Sequence, residues 1–295
     1  MDKYTDADKH KSMPELSDTQ IQDFENDGVL VIPEFFTTDE CDSVQNRMTE
    51  LLSQYRPQEK ETVFSTTDNT HTQEDYFLTS GDKIRFFFED SEAVDKSRPL
   101  ELTLNKVGHA LHDLDPVFSD FVRQPKLAKL ARDVGFVSPL LLQSMYIFKP
   151  PKIGGEVVWH TDHPFLWTDP PSVKGLWVAL EDATIENGCL WCLPGLHKEQ
   201  PRQRFRRNSS GGTEMITLNP DPFPTERKVP IEAKKGTLVV LDGLLPHWSG
   251  PNRSSRSRHA FTLHLIEESA EYPKDNWLQR SDGMPLRGFE TQIVD

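Results

Sequence analysis

The sequence predicts a mainly β domain, a sandwich or jelly roll, with α-helices flanking it. From residue 138 the apolar residues fall into short runs: LLLQSMYIFK, EVVWHTD, GLWVALEDA, GCLWCLPG, GTLVVLDG and RHAFTLHLIE. Gly, Pro or Asn turns separate them, and neither a helical period nor a repeat of fixed length connects them. The residues before 136 instead carry helix signals, and no Pro/Ser/Gly-rich linker divides the two parts. One domain over 17–295 is therefore expected, with a helical buttress at about 17–135 and a β core at about 136–270.

Residues 1–16 are charged and almost free of apolar side chains, the composition of a disordered tail. Ser17 with Gln20 forms a capping box for a first helix, whose apolar stripe is Ile21 and Phe24, and Asn26-Asp27-Gly28 ends it. VLVIPEFF is a short buried strand, stopped near Pro33. Thr38 can cap a second helix, with Val44, Met48, Leu51 and Leu52 on one face. Residues 56–75 are polar and loop-like. After the turn Ser80-Gly81-Asp82, KIRFFFE reads as a strand. Two helices are expected at about 103–115 and 125–134, the second stopped by Gly135.

Composition narrows the function. With 33 Lys and Arg against 47 Asp and Glu, the net charge of −14 argues against nucleic acid or an anionic membrane as partner. No apolar run approaches a membrane span and the N-terminus lacks an apolar signal core. The three cysteines, Cys41, Cys189 and Cys192, form no disulfide framework. A cytoplasmic monomer acting on a small molecule is the expectation.

WHTDHPFLW, residues 159–167, crowds metal-capable side chains together. If 157–162 is a strand end, His160 and Asp162 face one side while Thr161 and His163 face the other. A mixed imidazole and carboxylate pair suits non-haem iron(II), held by two histidines and one carboxylate with positions left open. H-x-D alone is weak, since a histidine beside a structural aspartate is common. Candidates for the further ligand are His197, His247, His259 and His264. His247 follows the buried-type strand TLVVLD, a natural way to aim a side chain into a barrel mouth. In RHAFTLHLI, Arg258, Ala260, Thr262 and His264 share one face, and Phe261, Leu263 and Leu265 the other. The apolar face packs on core, so the polar face is left for a cavity, where Arg258 needs an anion.

His160-x-Asp162, then His247, then Arg258 eleven residues further on resembles the order in the iron(II)/2-oxoglutarate dioxygenases, and among them the phytanoyl-CoA dioxygenase family. FENDGVLVIPEFFTTDEC, SGDKIRFFFE, NKVGHALH, LQSMYIFK, LEDATIENGCLWCLPGLHK and NWLQR are similar to segments of that family, so the resemblance spans about 17–281. It implies a double-stranded β-helix, a cupin-like jelly roll. It implies His160, Asp162 and His247 as catalytic iron ligands, and Arg258 as the partner of the distal carboxylate of 2-oxoglutarate. It implies Met145, Trp177 and Ser249 as lining for that co-substrate. The implied cofactors are Fe(II), 2-oxoglutarate and O2, with ascorbate as an in vitro reductant. The implied reaction is hydroxylation of an unactivated C–H, coupled to decarboxylation of 2-oxoglutarate to succinate and CO2. Oxidative cyclisation or desaturation is the alternative within this chemistry; a zinc hydrolase or a silent binding module are alternatives outside it. Asp162 itself sets the chain apart from halogenating relatives, which lack the carboxylate. The family's further polar group for the co-substrate falls near Leu102 here, so either Lys83 or Lys106 substitutes or the pocket is less polar.

Two other motifs invite sharper interpretations. Cys189-Leu-Trp-Cys192 lacks the second pair or helix N-terminus that zinc or redox chemistry needs, so structural cysteines are expected, facing opposite sides of a strand. RQRFRRNSSGG, 202–212, is a basic patch, expected as a solvated loop or else a lid that meets an anionic substrate.

Overall fold

The computed structural model describes residues 16–56, 63, 75–89 and 98–290. The expected tail lies outside these residues apart from Leu16, as does nearly all of the expected 56–75 loop.

Helix α1 (Asp18–Asp27) starts on the Ser17–Gln20 capping box and ends at Gly28, whose φ of 73° suits glycine. Strand β1 (Val29–Ile32) follows. Helix α2 (Thr38–Gln54) is capped one residue earlier than expected. Thr37 is extended, its hydroxyl accepts from Glu40 N–H, and the Glu40 carboxylate accepts from Thr37 N–H. Glu40, three residues on, decides between the two threonines, because only Thr37 can complete a capping box with it.

After α3 (Asp75–Leu78) and β2 (Ile84–Phe88), the expected helix at 103–115 is replaced by strand β3 (Leu104–His109) and the short helices α4 (Leu111–Leu114) and α5 (Pro116–Val122). A bulge opposite Phe87/Phe88, with Asn105 as the extra residue, interrupts the alternation, so Leu104 and Val107 both reach the main core while Asn105 and Lys106 face the cavity. β3 also pairs with strands on both sides, which satisfies its backbone. Helix α6 (Pro125–Asp133) lies where expected.

The β part is a jelly roll. Its strands are β4 (Pro139–Ile147), β5 (Val157–His160), β6 (Lys174–Ala179), β7 (Leu190–Cys192), β8 (Gln203–Arg207), β9 (Thr213–Thr217), β10 (Val229–Ile231), β11 (Leu238–Asp242), β12 (His247–Ser249) and β13 (Ala260–Glu267). The large antiparallel sheet runs β1-β11-β6-β13-β4-β3-β2, and the small one β10-β7-β12-β5. One face of the large sheet packs on the helices. Phe261, Leu263 and Leu265 of β13 lie there with Val44, Met48, Phe118, Phe121 and Leu130. Its other face looks at the small sheet, across the cavity that holds the site. No helix among the described residues is long and apolar enough to cross a membrane.

β8 and β9 form a hairpin apart from both sheets, so 202–212 is not a solvated loop. Arg204 and Arg206 pair with Asp275, Arg206 also with Glu214, and Arg207 donates to the carbonyls of Leu78 and Trp277. The patch's charge is spent on holding the hairpin. The two strand-region cysteines are buried in one apolar cluster rather than on opposite sides, because Cys189 precedes β7. Burial first of all pushes their thiols up, to about 11 at Cys189 and about 12 at Cys192, which removes thiolate chemistry.

Candidate metal centre and cavity

β5 ends at His160, so Asp162 lies past the strand rather than on it. A turn fixes it there: its carbonyl accepts from the N–H groups of Phe165 and Leu166. His247 is the first residue of β12, paired with His160 on one side and Cys192 on the other. The small sheet therefore sets the two histidines side by side, with ring centres 4.2 Å apart. One donor atom each from His160, Asp162 and His247 lies within 4.8 Å of the others, a group able to hold a metal ion.

The tautomers suit this. His160 Nδ1 meets the Val158 carbonyl at 2.8 Å and His247 Nδ1 meets the Leu245 carbonyl at 3.0 Å. A carbonyl only accepts, so both rings carry their proton on Nδ1 and present a bare Nε2. Those Nε2 atoms each stand 3.7 Å from Asp162 Oδ1. Burial, then the neighbouring His247, push the His160 pKa down to about 4, so its imidazole is neutral at pH 7. Burial of Asp162 favours protonation, but the neighbouring His264 and His247 outweigh it and hold the carboxyl below the usual range. Two imidazoles and one carboxylate with room beside them form a facial donor set suited to iron(II).

The other histidines separate cleanly. His163 is fully buried on the far side, its ring 4.6 Å from that of Trp167. His259 bonds the Tyr146 hydroxyl, and the His197 ring lies against the Glu25 carbonyl. His264 is in the site without belonging to the donor set. Its Nε2 is 3.3 Å from Asp162 Oδ2. Gly175 makes room for this contact, since a Cβ there would come within 3.1 Å of Asp162 Oδ2.

A cavity of about 260 Å³ opens beside the donor set. Arg258, Ser249, Met145 and Trp177 all line it, as do Thr262 and His264 from the expected polar face of β13. Arg258 is 2% exposed. Its Nε donates to the Gly188 carbonyl at 3.1 Å, its Nη2 to Ser249 Oγ at 3.4 Å, and its plane lies over Trp177. Nη1 is buried with no partner among the described residues. Burial lowers this guanidinium to about 10, still charged at neutral pH. A buried charge with an unused donor calls for an anion.

Lys106, Glu89 and Lys149 share this wall. Burial pulls Lys106 down to about 7 and pushes Glu89 up to about 7. Of the two lysines offered in place of Leu102, Lys106 is at the cavity, whereas Lys83 pairs with Asp82 at the surface. Glu89, Lys149 and the aromatic lining Phe77, Phe205 and Trp277 were not legible as site residues. Glu89 closing the apolar run IRFFF was the one available signal, a charged residue where the strand should stay buried.

A jelly roll whose cavity opens beside a His-Asp-His donor set has the build of a metal-dependent enzyme. Residues 24–260 match the family model described as Phytanoyl-CoA dioxygenase (PhyH), and the chain belongs to that family, a dioxygenase and so an oxidoreductase. It is 46% identical over 273 residues to "Phytanoyl-CoA dioxygenase" of Arabidopsis thaliana, covering 90% of this chain and 94% of the relative. It is 43% identical over 283 residues to mouse (Mus musculus) "Phytanoyl-CoA dioxygenase domain-containing protein 1", covering 92% and 97%. Among solved structures, EctD from S. alaskensis with 2-oxoglutarate and 5-hydroxyectoine superposes with a TM-score of 0.61 at 21% identity, over 90% of this chain and 84% of that one. The epimerase SnoN in complex with Fe3+, alpha ketoglutarate and nogalamycin RO gives 0.64 at 17%, over 92% and 93%. At such identities the structural likeness speaks for the fold.

Proposed function

We propose that this chain is an iron(II)- and 2-oxoglutarate-dependent dioxygenase that hydroxylates an unactivated C–H of a small organic molecule, with 2-oxoglutarate converted to succinate and CO2. One observation carries it: a His-Asp-His donor set opens into the same cavity as a buried arginine with a donor unpartnered among the described residues. Arg258, placed to take an anionic co-substrate, favours this reading over a zinc hydrolase, whose reaction needs only water as second reactant.

His160, Asp162 and His247 would hold the iron, which supplies the activation of O2 that side chains cannot perform. Arg258 would bind the distal carboxylate of 2-oxoglutarate, with Ser249 beside it and Trp177 beneath the guanidinium. Lys106 offers a second cation to the co-substrate. Met145, Ile147 and Leu176 exclude water around it. The cavity is below the ~300–1,000 Å³ typical of drug-sized ligands, so the enclosed part of the substrate is small.

The test is succinate formation with iron(II), 2-oxoglutarate, O2 and ascorbate, alongside an Asp162→Ala control. Succinate from the wild type and none from the control is expected. Hydrolytic turnover without 2-oxoglutarate would replace this proposal with the zinc one, and failure to bind iron would leave a silent module.

A further inference from the structure

The cavity has two unlike ends. At one, Ser249 joins Arg258 to the small sheet, two residues from His247. At the other, beyond His160, Phe165 packs 6.3 Å from that ring and 5.4 Å from Phe205 of the hairpin. Phe77 and Trp277 stack there at 4.2 Å. All four aromatic side chains line the cavity. If Arg258 takes the co-substrate, as proposed above, the aromatic end is left for the substrate.

Beside Gln143 and the buried Nε1 of Trp277, an imidazole stands in that lining. His109 lines the cavity, is 1% exposed, and packs 5.3 Å from Trp277 and 6.1 Å from Phe77. Its Nδ1 lies 2.7 Å from Ser80 Oγ. That hydroxyl also lies 2.6 Å from the Phe77 carbonyl. It has a single proton and the carbonyl can only accept, so the proton points to Phe77. His109 must then donate from Nδ1, which leaves Nε2 bare. Nε2 has no hydrogen-bond partner among the described residues. Burial, with Lys106 and His264 adding to it, pulls the ring's pKa well below its ordinary value, so Nε2 stays an acceptor at neutral pH.

We infer that His109 Nε2 accepts a hydrogen bond from the substrate. The substrate is thus a small, largely apolar or aromatic molecule that carries a hydroxyl or N–H donor. The Ser80–Phe77 contact fixes the tautomer, and so selects donors over acceptors. This inference depends on the oxygenase proposal only for calling the aromatic end the substrate end.

Phenol and anisole serve as probes, equal in ring and differing in the donor. Their affinities for the full chain are measured by ligand-observed NMR, with and without manganese(II) and 2-oxoglutarate. The wild type is expected to hold phenol about tenfold tighter or more. His109→Phe should erase the difference. Ser80→Ala, a milder change, frees the tautomer and should shrink the preference too. Long-range 15N–1H spectra of histidine-labelled wild type should show a protonated Nδ1 and an unprotonated Nε2 at His109. Equal affinities in the wild type, a preference that survives both substitutions, or the opposite tautomer would each overturn the inference. Failure of 2-oxoglutarate to bind in the same samples would instead count against the oxygenase proposal, since the tautomer and the metal-free affinities are read without it.

Discussion

His264 Nε2 lies 3.3 Å from Oδ2 of Asp162, while the two ligand-set histidines face Oδ1. The carboxylate is thereby divided, one oxygen facing the candidate donor histidines and one held by a neighbour on β13. Partners of this kind orient a ligand, and their loss costs about 10–100-fold in metal affinity. His264→Leu is expected to weaken iron(II) or cobalt(II) binding by that amount, and His264→Gln, which keeps a donor, by much less. Titration of the metal checks this. Equal affinity in the leucine variant would reduce His264 to packing.

Arg258 provides the second prediction. Arg258→Ala should cost about 2–5 kcal/mol of 2-oxoglutarate binding, the usual loss for one partner of a buried charge pair. Iron binding should be largely unchanged, because the guanidinium touches Gly188 and Ser249 rather than the donor set. Arg258→Lys should restore little, since one ammonium cannot replace a fork that already spends Nε on Gly188. Calorimetric titration of 2-oxoglutarate into the metal-loaded variants decides it, and undiminished affinity in the alanine variant removes Arg258 from the site.

His163 is the control within WHTDHPFLW. His163→Ala leaves a void against Trp167 and should destabilise the fold by about 1–3 kcal/mol. Bound metal should remain. Loss of the metal without unfolding would show that the far-side histidine shapes the donor set after all.

His160 and Asp162 were legible through side-chain parity, although the strand stops at His160 and a turn, not the pleat, delivers Asp162. His247 and Arg258 needed the long-range order of the motifs, because the ladder that sets His247 beside His160 joins residues 87 positions apart. The strand at 104–109 was missed for a related reason. Its segment is short and ambiguous in period, and pairing on both sides decides it. His109 and Glu89 were invisible because their roles depend on neighbours, Ser80 and Phe77 for one, Asn105 and Gly155 for the other. The helix caps, by contrast, are local chemistry: Ser17 was legible, and the second cap was placed one residue late, at Thr38, although Glu40 three residues past Thr37 carried the signal.

The last prediction concerns acid stability. Asp113 is fully buried and paired with Arg123, Arg280 and Arg287, beside His112. Burial favours its neutral form, but the adjacent His112 and the arginine charges outweigh that and hold the carboxyl well below 3.8. A depressed carboxylate contributes stability above its unfolded pKa and loses it as pH falls through the folded one. The contribution is therefore complete at neutral pH and fades below about pH 4. Asp113→Asn leaves three cations facing one another and should cost about 3–5 kcal/mol at pH 7. The gap between variant and wild type should then narrow as the pH is lowered from 4 toward 2. Denaturant midpoints across that range measure it, and a gap that stays constant would mean that Asp113 acts through shape alone.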